Sequence, residues 1–273
     1  MFVKKAGDEQ LFVTFVLFAY NQEKYIREAV EGALSQTYGA MEIILSDDRS
    51  TDRTFEIMEE VVAEYTGIHE VILRKNTSNL GLINHINEVV KLCKGEWIVV
   101  AAGDDISDSN RVLEIVQTIK ENPEITGISS ELRRINPESA DLDDIDLNMD
   151  HNKSVILWGE NELIDGFYPL AHGATAAYSK KLFTDFAPLS ENSIYEDAIL
   201  SFRSVLIGKQ AHINKKLVKY RSHDHQTTNI STDNIQENDI KRLRNYYGTY
   251  IVTLQYLDDY YEVFSSHSND RIK

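Results

Sequence analysis

The sequence predicts an α/β fold: a Rossmann-like, mostly parallel sheet flanked by helices, with a helical extension at the C-terminus. Three observations carry this. Apolar, β-branched runs alternate with stretches of helical periodicity from about residue 11 to residue 130, as parallel pairing with right-handed crossovers requires. The first run, Leu11 to Tyr20 (LFVTFVLFAY), is apolar at nearly every position, as befits a strand covered on both faces. Three of the runs stop on polar residues, at Tyr20-Asn21, Asp47-Asp48 and Gly103-Asp104-Asp105. A parallel sheet would gather these at one edge, where open α/β sheets bind ligands.

In chain order, Asn21 reads as an N-cap, and Tyr25, Ile26, Ala29, Val30, Ala33 and Leu34 trace the apolar face of a helix. Glu42 to Ser46 is a buried strand ending at Asp47 and Asp48. Ser50 reads as the cap of a second helix, marked by Phe55, Met58, Val61, Val62 and Tyr65. Val71 to Arg74 is a short strand, Asn76 to Gly81 a turn, and Ile83, Ile86, Val89, Val90 and Cys93 a third helix stripe. Trp97 to Ala101 is the strand that delivers Asp104 and Asp105. Val112 to Ile119 is a fourth helix, closed by Asn122-Pro123, and Ile125 to Ser130 a further strand.

From Glu131 to Asp150 apolar periodicity lapses and aspartates accumulate, which predicts a surface loop. Beyond it lie strands at 155–157, 174–178, 211–213 and 217–220, a small helix at 160–167, and a helix within 190–206 bearing Glu196 and Asp197 near its start. A polar loop, 221–234, precedes a basic and tyrosine-rich helical stretch, 241–264. That composition suits a membrane interface, a partner surface or packing on its own domain.

Bulk composition narrows the chemistry. The 273 residues carry a net charge of -16, which argues against nucleic acid as a partner, since backbone binding rests on Lys and Arg. Cys93 is the only cysteine, which excludes an internal disulfide framework and a Cys-based zinc cluster. No apolar run approaches the roughly 20 residues of a membrane span, and Met1 to Gln10 lacks a signal-peptide core, so a cytoplasmic setting is expected. Neither GxGxxG after the first strand nor GxxxxGK[ST] occurs, which disfavours dinucleotide oxidoreductases and P-loop enzymes. An acidic sheet edge could hold an anionic nucleotide through a divalent cation, because Mg2+ and Mn2+ take carboxylate and phosphate oxygens. Alone, Asp104-Asp105 fits a helix cap equally well.

Five pieces resolve that ambiguity: FAYNQEKYIREAVEGALSQTY (18–38), EIILSDDRSTDRT (42–54), NLGLINHIN (79–87), GEWIVVAAGDD (95–105) and YEDAILSFR (195–203). In this order the sequence resembles family 2 glycosyltransferases of the GT-A fold, from about Phe12 to Thr228. The resemblance implies a GT-A domain over 1–235, with a nucleotide-binding half (1–130) and an acceptor-side half (150–235), and a helical extension over 236–273. It implies an inverting, Mn2+- or Mg2+-dependent transferase. A UDP- or dTDP-sugar would be the donor, a glycan or lipid-linked hydroxyl the acceptor, and surface polysaccharide the product. Contact with the inner face of the cell membrane through 241–264 goes with that setting. Phe18, Tyr20, Asp48, Asn79 and Asp104 become the donor-binding set, with Tyr20 stacking on the base, Asp48 accepting from uracil N3–H and Asp104 on the ribose side. Asp105 becomes the metal ligand, with His223 or His225 as a further one, and Asp197 the general base, with Glu196 as the alternative. Asp47, Asn79 and Asn87 also fit structural roles, and Arg49 departs from the glycine common after the Asp-Asp pair. A catalytically silent nucleotide-sugar-binding module and a sugar nucleotidyltransferase are the rivals. The second needs a basic, Gly-rich loop after the first strand, which FAYNQEKY does not provide.

Overall fold

Alternation along the first strand organises the molecule. In β1 (Val13–Ala19) every residue is buried. Val13, Phe15, Leu17 and Ala19 enter one apolar cluster, while Val16 and Phe18 enter another, because successive side chains point to opposite faces. The computed structural model describes residues 10–143, 150, 152–164, 172–193, 195–224 and 251–263. Helices α1 (Ile26–Leu34), α2 (Thr54–Ala63) and α4 (Arg111–Glu121) cover the first face; α3 (Leu82–Val90) and α7 (Glu196–Ile207) cover the second.

β1 pairs in parallel with β2 (Met41–Asp47) and β4 (Trp97–Ala102), and β2 with β3 (Glu70–Lys75). Their carboxyl ends therefore share one edge, as the sequence predicts. The nine-stranded sheet runs β3-β2-β1-β4-β8-β6-β9-β5, with β7 also on β9. Here β5 is Ile106–Ser107, β6 Ile125–Ile135, β7 Val155–Trp158, β8 Ala177–Ser179 and β9 Lys209–Arg221. β8 is antiparallel to both β4 and β6, and β9 is parallel to β6. Two reversals restore the original direction, so β9 delivers Arg221 to the same edge as β4 delivers Asp104.

Some local expectations change. The two short strands read at 211–213 and 217–220 are one strand, β9. Polar Asn214, Lys215 and Lys216 break the apolar pattern where its register against β6 shifts. The strand expected at 174–178 is a 3-10 turn (Gly173–Thr175) followed by β8. α5 (Glu160–Ile164) and the short α6 (Lys181–Thr184) complete the order. Asn21 does not cap α1, which starts five residues later. Its backbone is left-handed (φ 52), and its Oδ1 accepts the Thr51 N–H at 2.8 Å. Ser50 does not cap α2; its hydroxyl bridges the Asn21 N–H and Asp47, tying the first two strand ends together.

Residues 251–263 form a helix that docks on its own domain. Arg203 of α7 and Asp259, both with no solvent exposure, make a two-pronged ion pair at 2.8 and 2.9 Å. Arg203 also donates to Leu182 O and Ala187 O, and Tyr256 stacks on Phe202. Leu254, Leu257, Tyr260 and Tyr261 of this helix are exposed. Residues 241–250 and 264, from the same predicted stretch, lie outside the described residues. Among the described residues no helix is long and apolar enough to cross a membrane.

Candidate active site

The shared edge is built from strand ends tied by backbone bonds that continue the ladders: Asp48 N to Ala19 O at 2.8 Å, Gly103 N to Phe18 O at 2.9 Å and Asn76 N to Asp47 O at 2.8 Å. Phe18 itself, expected to touch the donor, is only 7% exposed. Its ring meets His85 edge-on at 5.0 Å inside the core, so it supports the edge from beneath. Tyr20, two residues on, is 45% exposed at the rim.

Asp47 and Asp48 divide their work. Asp47 accepts from the Ser50 N–H at 2.9 Å and from its hydroxyl, with Lys75 Nζ at 3.7 Å, so it holds its own turn. Asp48 reaches across to the 76–81 turn. Its Oδ1 accepts from Asn76 Nδ2 at 2.7 Å and Leu80 N at 2.9 Å, and its Oδ2 from Gly81 N at 2.9 Å. A carboxylate offers about four lone-pair directions, so about one remains, on Oδ2. Asn79 Oδ1 also accepts from Gly81 N at 2.9 Å, and Gly81 has φ +74, a conformation glycine alone adopts without cost. Asn79 thus shapes the turn. Asn87 is structural: it donates to Leu189 O at 2.8 Å and accepts from Leu189 N at 3.1 Å. Arg49 occupies the left-handed region (φ 65), which explains why glycine is common at this place.

Asp104 and Asp105 are not equivalent. Asp105 is 4% exposed, its Oδ1 accepts the Arg221 N–H at 2.8 Å, and its Oδ2 is buried without a hydrogen bond. Burial, then the neighbouring Asp104 charge, push its carboxyl well above the usual range. The Asp104 carboxylate instead faces His223, with Oδ2 and Nε2 3.0 Å apart. Gly103 lets the chain close on the turn before α1: a Cβ there would lie 2.3 Å from Gln22 Oε1. His225 lies outside the described residues.

The fully buried Arg221 fastens this corner. It donates to Asp104 O at 2.9 Å, Pro137 O at 3.0 Å and Ser139 Oγ at 2.9 Å, and pairs with Glu28 of α1. The structure turns it inward, where carbonyls and a carboxylate satisfy its charge.

Asp197 comes from the opposite half, in the first turn of α7. Its Oδ1 accepts from Ala198 N at 2.8 Å and its Oδ2 from Gly173 N at 3.2 Å. Partial burial raises its carboxyl above the ordinary value, against the pull of those two N–H groups. Glu196 is pushed up to about 8, first by burial and then by Asp197. Of the two, Glu196 is the member that burial and repulsion drive toward its neutral form. Beside them His172 sets its ring edge-on against Tyr220 at 4.6 Å, one residue before Arg221, so the Asp197 and Asp104 sides share a wall.

Several contributors carried no sequence signal. Arg74 donates to Asn76 Oδ1, and Asn76 donates to Asp48, a relay joined by Ser46 and His85. Burial lowers His85 to about 4, so it is neutral there. In the sequence these residues are ordinary strand-end and helix positions.

The glycosyl transferase family 2 model matches residues 14–183. An uncharacterised protein of Mycobacterium tuberculosis is 27% identical over 215 residues, covering 78% of this chain and 59% of its own length. The chain thus spans about three-fifths of that relative. An uncharacterised glycosyltransferase of Haemophilus influenzae is 29% identical over 224 residues, 80% of this chain and 68% of that one. Among solved structures, Staphylococcus aureus TarS 1-349 with UDP-GlcNAc superposes with a TM-score of 0.63 at 17% identity, covering 92% of this chain and 72% of that one. The Pyrobaculum calidifontis mannosyltransferase PcManGT, with GDP-Man and Mn2+, gives 0.64 at 16% identity, over 93% and 70%. Such distant likenesses establish the GT-A fold, and the family model, matching more than half the chain, establishes descent: the chain belongs to glycosyl transferase family 2.

Proposed function

We propose that the protein is an inverting, metal-dependent glycosyltransferase. It would move a sugar from a UDP- or dTDP-activated donor to a hydroxyl of a glycan or lipid-linked acceptor. The observation that carries this is the meeting of Asp104 and His223, 3.0 Å apart, at the sheet edge that also bears the Asp48 turn. The nucleotide sugars and Mn2+ bound to the distant structural relatives support the donor class and the cation.

A carboxylate oxygen suits Mg2+ or Mn2+, and the imidazole nitrogen beside it favours Mn2+ over the harder Mg2+, with diphosphate oxygens and water completing the donor set. We assign the metal to Asp104 and His223 rather than to Asp105, because the Asp104 carboxylate is the one that meets His223, while Asp105 Oδ1 accepts the Arg221 N–H. Asp105 then anchors the corner. When bound, the ion would neutralise charge developing on the departing diphosphate.

The protein's own groups supply the rest. Asp48 offers its remaining acceptor direction to the imide N–H of uracil or thymine, and Tyr20 offers an exposed ring for stacking. Asp197 takes the proton of the acceptor hydroxyl as that oxygen attacks the anomeric carbon. The bond from that carbon to the diphosphate oxygen breaks on the opposite face, inverting the centre. Surface polysaccharide synthesis (O-antigen or capsule) at the cytoplasmic face of the cell membrane is the setting we propose, supported by family membership alone.

Calorimetry with UDP tests the donor site. Wild-type affinity is expected to rise on adding Mn2+. Asp104→Asn should remove that gain, by more than the roughly 10–100-fold that partners of metal ligands cost. Asp48→Asn should weaken UDP with or without the ion. A Mn2+-dependent gain in UDP affinity that survives Asp104→Asn would contradict the assignment.

A further inference from the structure

Tyr25, the residue before α1, has no role in the chemistry above, yet its ring touches both sides of the corner that holds Asp104. The Arg221 guanidinium lies 4.8 Å from its centroid, and the His223 imidazole lies at 4.8 Å with the planes inclined by 38°. His223 follows the last residue of β9 by two positions. Arg221 is fixed, by Asp104 O, Pro137 O, Ser139 Oγ and Glu28. Glu28 in turn accepts from Ser139 Oγ at 2.9 Å, so α1, the end of β4 and the 136–139 turn form one clamped unit.

We propose that Tyr25, held by Arg221, is a positioning residue that sets the His223 imidazole against Asp104 and thereby sets the affinity of the site for a divalent cation. This rests on the metal assignment made above. Metal-binding histidines depend on outer contacts to fix ring orientation. Here an aromatic face braced by a buried cation supplies that contact, with cation–π attraction strengthened by desolvation. The face of the ring is what matters, and the phenolic hydroxyl is dispensable.

The test measures Mn2+ binding directly, by electron paramagnetic resonance of free Mn2+ in the presence of UDP, and uridine binding without metal by calorimetry. Tyr25→Ala and Tyr25→Leu are expected to weaken Mn2+ by about 10–100-fold, while Tyr25→Phe stays near wild type and uridine affinity is unchanged in all three. Tyr25→Leu retains bulk beside α1, so its loss of Mn2+ would report orientation and not a collapsed fold. His223→Ala is the reference. If it loses Mn2+ and Tyr25→Leu does not, the positioning role is wrong. If His223→Ala itself keeps wild-type Mn2+ affinity, the metal assignment fails instead.

Discussion

Asp197→Asn is expected to lower kcat for transfer by about 10²–10⁴-fold, the range a positioned general base contributes, while UDP affinity stays at the wild-type value. The amide keeps the shape of the side chain but cannot take a proton. Nothing in the Asp48 turn or the Asp104–His223 pair touches it, so nucleotide binding should not respond. Glu196→Gln is the control, because burial and Asp197 push the Glu196 carboxyl up to about 8, toward the neutral form that glutamine mimics. The pH profile follows with a defined sign. Asp197 must be ionised to act, so activity falls as pH drops through its pKa. Because burial raises that pKa, the acid limb should lie above the ordinary aspartate value of about 3.9. Initial rates of Asp197→Asn and Glu196→Gln, with kcat against pH for wild type, check this. Loss of activity in Glu196→Gln with retention in Asp197→Asn would exchange the two roles.

Asp259→Ala should destabilise the protein by about 3–5 kcal/mol, the cost of leaving one member of a buried ion pair alone. Arg203 has no solvent exposure, and its Nε and one Nη donate to that carboxylate. Remaining bonds to Leu182 O and Ala187 O supply no negative charge. At about 2–4 °C per kcal/mol for a domain of this size, the thermal midpoint should fall by roughly 6–20 °C. Replacing both partners by apolar residues, Arg203→Met with Asp259→Leu, should recover much of the loss, since no stranded charge remains. A midpoint unchanged in Asp259→Ala would mean that the 251–263 helix does not hold α7, the helix that carries Asp197.

The parts of the fold legible in the sequence were those with short-range periodicity. β1 to β4 and the helices between them declare themselves by apolar spacing, and parallel connections oblige their carboxyl ends to coincide. β9 reads as two strands in the sequence because Asn214, Lys215 and Lys216 interrupt its pattern, and only long-range pairing with β6 shows its continuity. Within the candidate site, Asp48, Asp104, Asp197 and His223 could be singled out because they punctuate motifs. Their partition of labour could not. Whether Asp104 or Asp105 faces outward depends on which one the Arg221 backbone reaches, across 116 residues of sequence. Phe18 illustrates the converse: its place in a motif suggests ligand contact, while its ring packs edge-on against His85 in the core. Tyr25 read as one more apolar helix position because its two ring contacts lie at the far end of the chain.

We propose the edge bearing Asp48, Asp104 and His223 as the donor site of a metal-dependent glycosyl transfer. Slow hydrolysis of the donor tests it most directly, because water replaces the unknown acceptor. A panel of UDP-, dTDP- and GDP-sugars is incubated with and without Mn2+, and released nucleotide is scored. Cleavage of at least one UDP- or dTDP-sugar is expected, dependent on Mn2+ and abolished by Asp104→Asn. Cleavage that needs no metal, that prefers GDP-sugars, or that survives Asp104→Asn would contradict the proposal.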